Sequence, residues 1–248
     1  MGYLLISKLK SFILGPALVG IIWYFAYWII DRNVMPNPFL VLSALPDLLE
    51  HNVISHLAHS LYRIFLALSL SMIIGLIVGL AAADKNLSKI LTPFIYFTYP
   101  IPRVALLPVV MLVFGLRDVS KIIMITLIVV YPIIIVVRDS VKDIPKETYS
   151  SLICLGASKF QMFLFVTLPW AVSGILSTLR ISLGTAVAIL FFTEAYGTRY
   201  GMGFFILDMW QRINYVLMFA GIVVLSMTGF ILFVFIDVLE EVLLRWKK

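Results

Sequence analysis

Two arginines stand inside long apolar stretches, Arg103 in Leu91–Gly115 and Arg180 in Phe160–Thr193. At mid-membrane depth an arginine costs roughly 2.5–3.5 kcal/mol on insertion scales, so it must face protein or water rather than lipid. Two duties fit such a residue. It could contact an anion moving through the protein. It could instead be structural, paired with backbone carbonyls or with an acid, either Glu194 or one in another apolar stretch. Arg180 is the eleventh residue of Trp170–Thr193 and cannot easily reach either end, whereas Arg103 follows Pro102 directly. Glu194 closes its apolar stretch, where it could gate a path, contact a partner, or sit at a solvated helix end.

Other candidate chemistry is sparse. His51, His56 and His59 follow Glu50. On a helix His56 and His59 share a face, which would suit a metal. An interfacial helix with polar residues toward headgroups explains the same spacing, and no metal site is expected. The single cysteine, Cys154, permits no internal disulfide. Gly156-Ala157-Ser158 superficially resembles the start of a serine-hydrolase motif, but the histidines fall on the other side of the expected membrane, so no catalytic set is assigned. No Gly-Lys dipeptide occurs, hence no Walker A loop. If ATP drives this protein, another chain binds it.

These residues need elements to hold them. Of 248 residues, 62% are hydrophobic and only 13% charged, about half the roughly 25% charged of soluble domains. Mean hydropathy is +1.07. This excludes an ordinary soluble domain, and also a disordered chain, which would be polar and charge-rich. About 20 apolar helical residues cross about 30 Å of hydrocarbon. Six stretches qualify: 11–30, 62–83, 91–115, 119–137, 170–193 and 213–236. The expected fold is an all-α membrane protein, one domain over residues 1–248 with six transmembrane helices, and with residues 138–169 as its longest inner segment. Stretch 11–30 is too long for the apolar part of a signal peptide and reads as a retained first span. Pro169 is expected to divide the 34 residues of Phe160–Thr193.

Lys and Arg number 19 against 13 acidic residues, a net charge of +6. In a soluble protein this would point to nucleic acid. Here basic residues collecting in cytoplasmic loops explain it, and no nucleic-acid partner is expected. With the N-terminus inside, inner segments hold eleven basic residues (Lys8, Lys10, Lys85, Lys89, Arg138, Lys142, Lys146, Lys159, Arg245, Lys247 and Lys248). Outer segments hold five (Arg32, Arg117, Lys121, Arg199 and Arg212). Both termini therefore read as cytoplasmic in a multi-pass protein of the cell (inner or cytoplasmic) membrane.

Three further features concern the path between the spans. Pro93, Pro100, Pro102 and Pro108 crowd the third stretch. Broken helices are tolerated in membranes only where protein or a watery cavity solvates the freed carbonyls, and they often mark transport paths. A merely kinked helix is the plainer alternative. We take Pro102, Arg103, Arg180 and Glu194 as candidate path residues. Gly75 and Gly79 form G-x3-G, which lets two helices approach closely; packing within the chain is preferred to a seam between copies. The aromatic and glycine-rich Tyr200–Asn214 reads as a short re-entrant or interfacial helix.

The inner segment reads Ile144-Pro145-Lys146-Glu147, then Leu155-Gly156-Ala157-Ser158, then Val166-Thr167-Leu168-Pro169. Its G-x9-V-x-L-P spacing resembles the EAA loop of ABC-importer permeases, E-A-A-x3-G-x9-I-x-L-P. Ser150, Ser151 and Leu152 occupy the E-A-A positions, and Glu147, three residues upstream, is the candidate acidic contact. Glycine lets a chain leave one helix and turn. The flanks extend the resemblance. Pro100-Ile101-Pro102-Arg103-Val104-Ala105-Leu106-Leu107-Pro108, with Phe114-Gly115 and Ser120-Lys121, looks like the third span of the subgroup importing nitrate, sulfonates and taurine. Ser60-Leu61-Tyr62-Arg63 with Gly75 and Gly79 resembles its second span. Leu179-Arg180 with Gly184, Glu194-Ala195 and Gly201-Met202-Gly203 resembles its fifth span and the segment beyond.

The resemblance implies a type I ABC-importer-like fold with a cytoplasmic coupling helix. Glu147, Ser150, Ser151, Leu152, Gly156, Ala157, Ser158 and Pro169 would form the loop that docks on ABC ATPase subunits. A second copy of this permease, or a similar one, would complete the path within membrane lipid, and an extracytoplasmic binding protein would deliver the solute. The solute would be small, with an anion such as a sulfonate or nitrate as one reading. ATP would act through the partner ATPase, so this chain would bind no cofactor and would not be an enzyme. Two alternatives stand beside this. An ion-coupled secondary carrier would favour Asp or Glu at mid-span. A membrane-embedded enzyme would need a polar catalytic set inside the spans.

Overall fold

The computed structural model describes the backbone of residues 2–30 and 34–244, and the side chains of residues 14–30 and 34–244. The side chains of Lys8, Lys10, Arg32, Arg245, Lys247 and Lys248, which entered the expected orientation, lie outside the described residues. Every regular element among the described residues is helical. Helix α1 runs Gly2–Ile29 and α2 Pro38–Ser43; a 3-10 turn, Pro46–Leu49, leads into α3, Val53–Ala83. Next come α4, Ser88–Thr98, a second 3-10 turn, Arg103–Leu106, then α5, Leu107–Phe114, and α6, Asp118–Lys142. Helices α7, Lys146–Cys154, and α8, Lys159–Met162, precede a π-helical turn, Phe163–Thr167, and α9, Leu168–Glu194. The chain closes with α10, Met202–Gln211, and α11, Tyr215–Leu243.

Helix α6 is central because its apolar residues recur at helical spacing. Ile122, Ile125, Val129, Ile133 and Val137 are all buried, facing α3 and α9. Helix α9 answers with Ala171, Ile175, Leu179, Leu183, Ala186 and Leu190. Steps of three and four residues place one such stripe on one face. Gly75 and Gly79 lie against Ile133, Ile134 and Val137, and a Cβ on Gly79 would come within 2.6 Å of the Val137 side chain. The G-x3-G contact is thus internal to this chain. A second core joins α2, the first 3-10 turn, α10 and the start of α11 through Val41, Leu48, Phe205, Met209 and Leu217.

The outward faces are apolar, as lipid requires and water would not tolerate over so large an area. Phe65, Leu112 and Ile181 are 71%, 86% and 78% exposed. Four helices are long and apolar enough to cross a membrane: Val53–Ala83, Asp118–Lys142, Lys159–Glu194 and Tyr215–Leu243. The pair Ser88–Thr98 and Arg103–Phe114 together reach that length but bend by 83°. Stretch 11–30 is represented by the apolar helical residues Leu14–Ile29. This is a multi-pass membrane protein.

Several boundaries differ from expectation, each for a physical reason. Helix α3 starts at Val53 rather than near residue 62. Its 31 residues are about 46 Å long, beyond the roughly 30 Å of hydrocarbon. Its first turns, with His56, Ser60 and Arg63, therefore pack beside α10 rather than forming a loop. Pro169 does not divide the fifth span, since the helix is continuous over Lys159–Glu194. The wider π turn just before Pro169 accommodates a residue without an N–H. Lys121, counted with an outer loop, is fully buried in the first turns of α6. The final span extends past residue 236 to include Asp237 and Glu240. Between α3 and α4, Asp84 accepts the N–H groups of Leu87 and Asn86, which hold its carboxyl below the usual carboxylate range.

Candidate functional site

The N-terminal ends of α3 and α6 and the C-terminal end of α9 meet in a buried polar knot at the end of the bundle that carries α10. Residues His56, Ser60 and Arg63 recur at spacings of four and three on α3, so they share a face. Glu194, the last residue of α9, is 0% exposed. Both of its oxygens accept from Ser60 Oγ at 2.9 Å, and Oε1 accepts from Arg63 Nη1 at 2.6 Å. The Gly203 N–H donates to Oε2 at 2.9 Å. Arg63 also donates to Asp118 Oδ1 through Nε at 2.8 Å and Nη2 at 2.6 Å, and to the Tyr200 carbonyl at 2.8 Å. Lys121 Nζ donates to the Leu116 carbonyl at 2.8 Å. Glu194 is therefore not the solvated helix end that its position suggests. Buried charge is stable only when paired and hydrogen-bonded, and here the partners of Glu194 come from α3 and α10 and the acids of Arg63 from α6 and α9.

The Gly201-Met202-Gly203 segment closes this knot. Gly201 has φ +130°, and a Cβ there would lie 2.5 Å from Glu194 Oε2. Only glycine lets the backbone pass so close to the carboxylate. Its backbone pairs with His56 Nδ1 at 3.1 Å, while the Met202 N–H donates to Ser60 Oγ at 2.8 Å. His59 stacks on Tyr200, with ring centroids 4.9 Å apart. The histidines thus hold the chain leading into α10. Among the described residues no three His, Cys, Asp or Glu side chains converge as a metal site would need.

The α4–α5 pair breaks between Thr98 and Arg103, where Pro100 and Pro102 supply no N–H. Arg103 Nη2 donates to the Thr98 carbonyl at 3.1 Å and the Tyr99 carbonyl at 2.9 Å. Its guanidinium lies 3.8 Å from the centroid of the Tyr131 ring. The arginine therefore solvates carbonyls that the break leaves free. Arg180 pairs with Asp237 at 2.7 Å and with Glu240, both on α11, rather than with Glu194. Ser177 Oγ supports Glu240 at 2.9 Å. Of the four candidate path residues, Pro102 and Arg103 are adjacent at the break, while Arg180 and Glu194 sit in separate ion-pair clusters.

At the opposite end, α7 and α8 form an exposed helical hairpin. Helix α7 has no buried residue, and Glu147, Ser150 and Ser151 are exposed on it. The Ser150 and Ser151 hydroxyls bond back to the carbonyls of Lys146 and Glu147. Leu152 is half-buried. Gly156, at φ +79°, ends the helix: its N–H donates to the Ile153 carbonyl at 2.9 Å, and the Ala157 N–H to the Leu152 carbonyl at 3.0 Å. This crossed pair is a Schellman stop. Ser158 then caps α8 in a reciprocal box with Gln161. Two links tie the hairpin to the spans, buried Ile144 after α6 and the 2.9 Å bond between Tyr149 and Thr167, close to Pro169.

Comparison with known proteins agrees with this arrangement. Residues 71–245 match the family described as binding-protein-dependent transport system inner membrane component. The chain belongs to this family. Its relatives are importer permeases. The taurine transport system permease protein of Escherichia coli (strain K12) is 31% identical, across 88% of this chain and 82% of that protein. The formylaminopyrimidine transport permease protein of Halalkalibacterium halodurans is 28% identical, across 92% of both. A bicarbonate transport system permease protein of Synechococcus elongatus is 30% identical, across 86% of this chain and 76% of that protein. Among solved structures, an inward-facing MetNI methionine ABC transporter chain has TM-score 0.60 at 16% identity, covering 77% of this chain and 95% of that one. That likeness concerns the fold alone. This chain is accordingly the permease subunit of an ABC importer.

The sequence reading missed the polar knot of this permease. Its signal was present as His56, Ser60 and Arg63, a polar stripe on the face of an otherwise apolar helix. The convergence of that stripe with Glu194, Asp118 and Gly201 required long-range packing.

Proposed function

We propose that this permease docks ABC ATPase subunits through α7 and α8 and forms, with a second copy or a similar permease, the path for a small anionic solute. The observation that carries the docking role is the exposed apolar tip of the hairpin. Ile153, Leu155 and Phe160 are 59%, 82% and 70% exposed on a segment that also carries Lys146, Glu147, Ser150, Ser151, Ser158 and Lys159. Apolar residues in such a place suit a partner surface. The caps at Gly156 and Ser158 fix the angle between the two helices. The Tyr149–Thr167 bond then carries a pull on α7 into the base of α9. ATP-driven closure of the ATPases would move the hairpins and rock the bundles between outward and inward access.

In this reading the chain has six spans, residues 138–169 and both termini are cytoplasmic, and the α10 end faces a binding protein outside. The excess of basic residues in the inner segments supports the orientation. ATP acts only through the partner subunits. Arg103 and the acidic groups of taurine and bicarbonate support an anionic solute.

The test is co-purification from membranes with the cell's ABC ATPases, wild type beside Gly156→Glu and Leu155→Glu. Leu155 is 82% exposed, so its variant keeps the fold. The expected outcome is an ATPase that accompanies wild type and is lost from both variants. Equal recovery of the ATPase with Leu155→Glu would overturn the docking assignment.

A further inference from the structure

Arg63, Arg103, Arg138 and Arg180 sit within the bundle or at the α4–α5 break, and they differ in how their charge is met; Arg138 is paired with Asp139. Arg63 is paired with Glu194 and Asp118, and Arg180 with Asp237 and Glu240. Arg103 has carbonyl and aromatic partners but no carboxylate among the described residues. Its bonds to Thr98 and Tyr99 both use Nη2. A guanidinium carries five N–H donors, so Nε and Nη1 remain available.

Arg103 lines a cavity of about 220 Å³ with Tyr99, Pro132, Ser182 and Thr185. This is below the roughly 300–1,000 Å³ of pockets for drug-sized ligands, so it suits a solute of few atoms. Ser182 is 4% exposed, yet its hydroxyl makes no hydrogen bond among the described residues, unlike buried Ser60, Ser71 and Ser120. Thr185, one turn along α9 at the cavity edge, is exposed and offers a second hydroxyl to the cavity. An unneutralised cation and free hydroxyls around a small cavity at a broken helix form an incomplete site, and an anion completes it.

We infer that this cavity receives the acidic group of the transported solute, with Arg103 as its cation and Ser182 and Thr185 as hydroxyl donors. The inference rests on the permease reading and specifies where in the path the anion is contacted. Arg103 has two roles at once: Nη2 holds the break in the helix, and the remaining edge meets the solute. Ser182, whose side chain holds no element in place, has only the second role.

The test uses the permease purified with its ATPase subunits in detergent. Thermal shifts are read with ethanesulfonate, nitrate and bicarbonate, and with ethyl methyl sulfone as a neutral control. At least one anion should stabilise wild type, and the sulfone should not. Ser182→Ala should leave the ligand-free melting temperature unchanged and weaken the anion about tenfold, as expected for one lost charge-assisted hydrogen bond. Ser182→Val, which fills the cavity, should abolish the response. Arg103→Gln should abolish it too, with Arg103→Lys retaining part. An unaltered anion response in Ser182→Val, an equal response to the sulfone, or no response of wild type to any of the anions would overturn the assignment. Continued recovery of the ATPase with these proteins would show that the permease reading survives that failure.

Discussion

At the α10 end of the bundle, Arg63 is 2% exposed and all three of its guanidinium nitrogens are bonded to other elements. At the α7 end, no side chain of α7 is buried, and Leu155 stands 82% exposed. The first region places charge inside and the second places apolar surface outside, each against the ordinary preference. The difference lies in where the partners are. In the knot they belong to the same chain, so a charge can be neutralised at folding and fixes how three helices and the α10 segment meet. At the hairpin the chain offers no covering surface, so the apolar tip is matched only when another subunit arrives. Mutations should therefore act on stability at one end and on assembly at the other.

The strongest challenge to this contrast is Glu194→Ala. It leaves the buried Arg63 with Asp118 as its remaining acid and Lys121 close by, and removing one partner of a buried ion pair costs about 3–5 kcal/mol. A large fall in melting temperature in detergent is expected; a melting temperature equal to wild type would remove the knot's structural role. Next is Gly201→Ala, which puts a Cβ against the Glu194 carboxylate at φ +130°. Strain of this kind costs about 1–3 kcal/mol, and the same melting assay reads it. At the hairpin, Gly156→Ala keeps the loop but holds alanine at φ +79°, at a cost of roughly 1–2 kcal/mol. Hydrogen exchange should report it as lost protection confined to α7 and α8. The smallest stability effect belongs to Leu155→Glu, within about 0.5 kcal/mol of wild type, although ATPase recovery should fall more than tenfold. If that variant instead unfolds the protein, the hairpin is a structural element and the contrast between the two ends fails.

Much of this was legible in residue order. The apolar stretches marked the four helices long enough to cross a membrane, and the prolines from Pro93 to Pro108 marked the stretch where α4 and α5 bend apart. The spacing from Gly156 to Pro169 carried the resemblance that implied the hairpin, and Gly156 was readable as its turn because a helix stop is local; Gly156 ends α7 and Ser158 begins α8 through bonds spanning a few residues. The path residues were less legible. Arg180 was readable as a charge needing a partner, but Asp237 and Glu240 follow it by about sixty positions and lie past the expected end of the final span. Pro169 read as a divider because its effect on a helix is ordinarily local, yet the π turn before it absorbs the change.

Hydropathy, helical periodicity and capping act between near neighbours or along a single helix. By itself the sequence determined an all-helical membrane protein with an interruption in the proline-rich stretch, and its resemblance to the EAA loop implied the hairpin between α6 and α9. Pairing between distant elements depends on how helices pack. Tertiary structure alone decided that Glu194 is enclosed by Ser60, Arg63 and Gly203, that Arg180 belongs to α11, and that Arg103 is left beside the unbonded hydroxyl of Ser182. The physical reason is that a buried charge takes whichever partner the packed bundle brings within a few ångströms, and sequence distance does not set that separation.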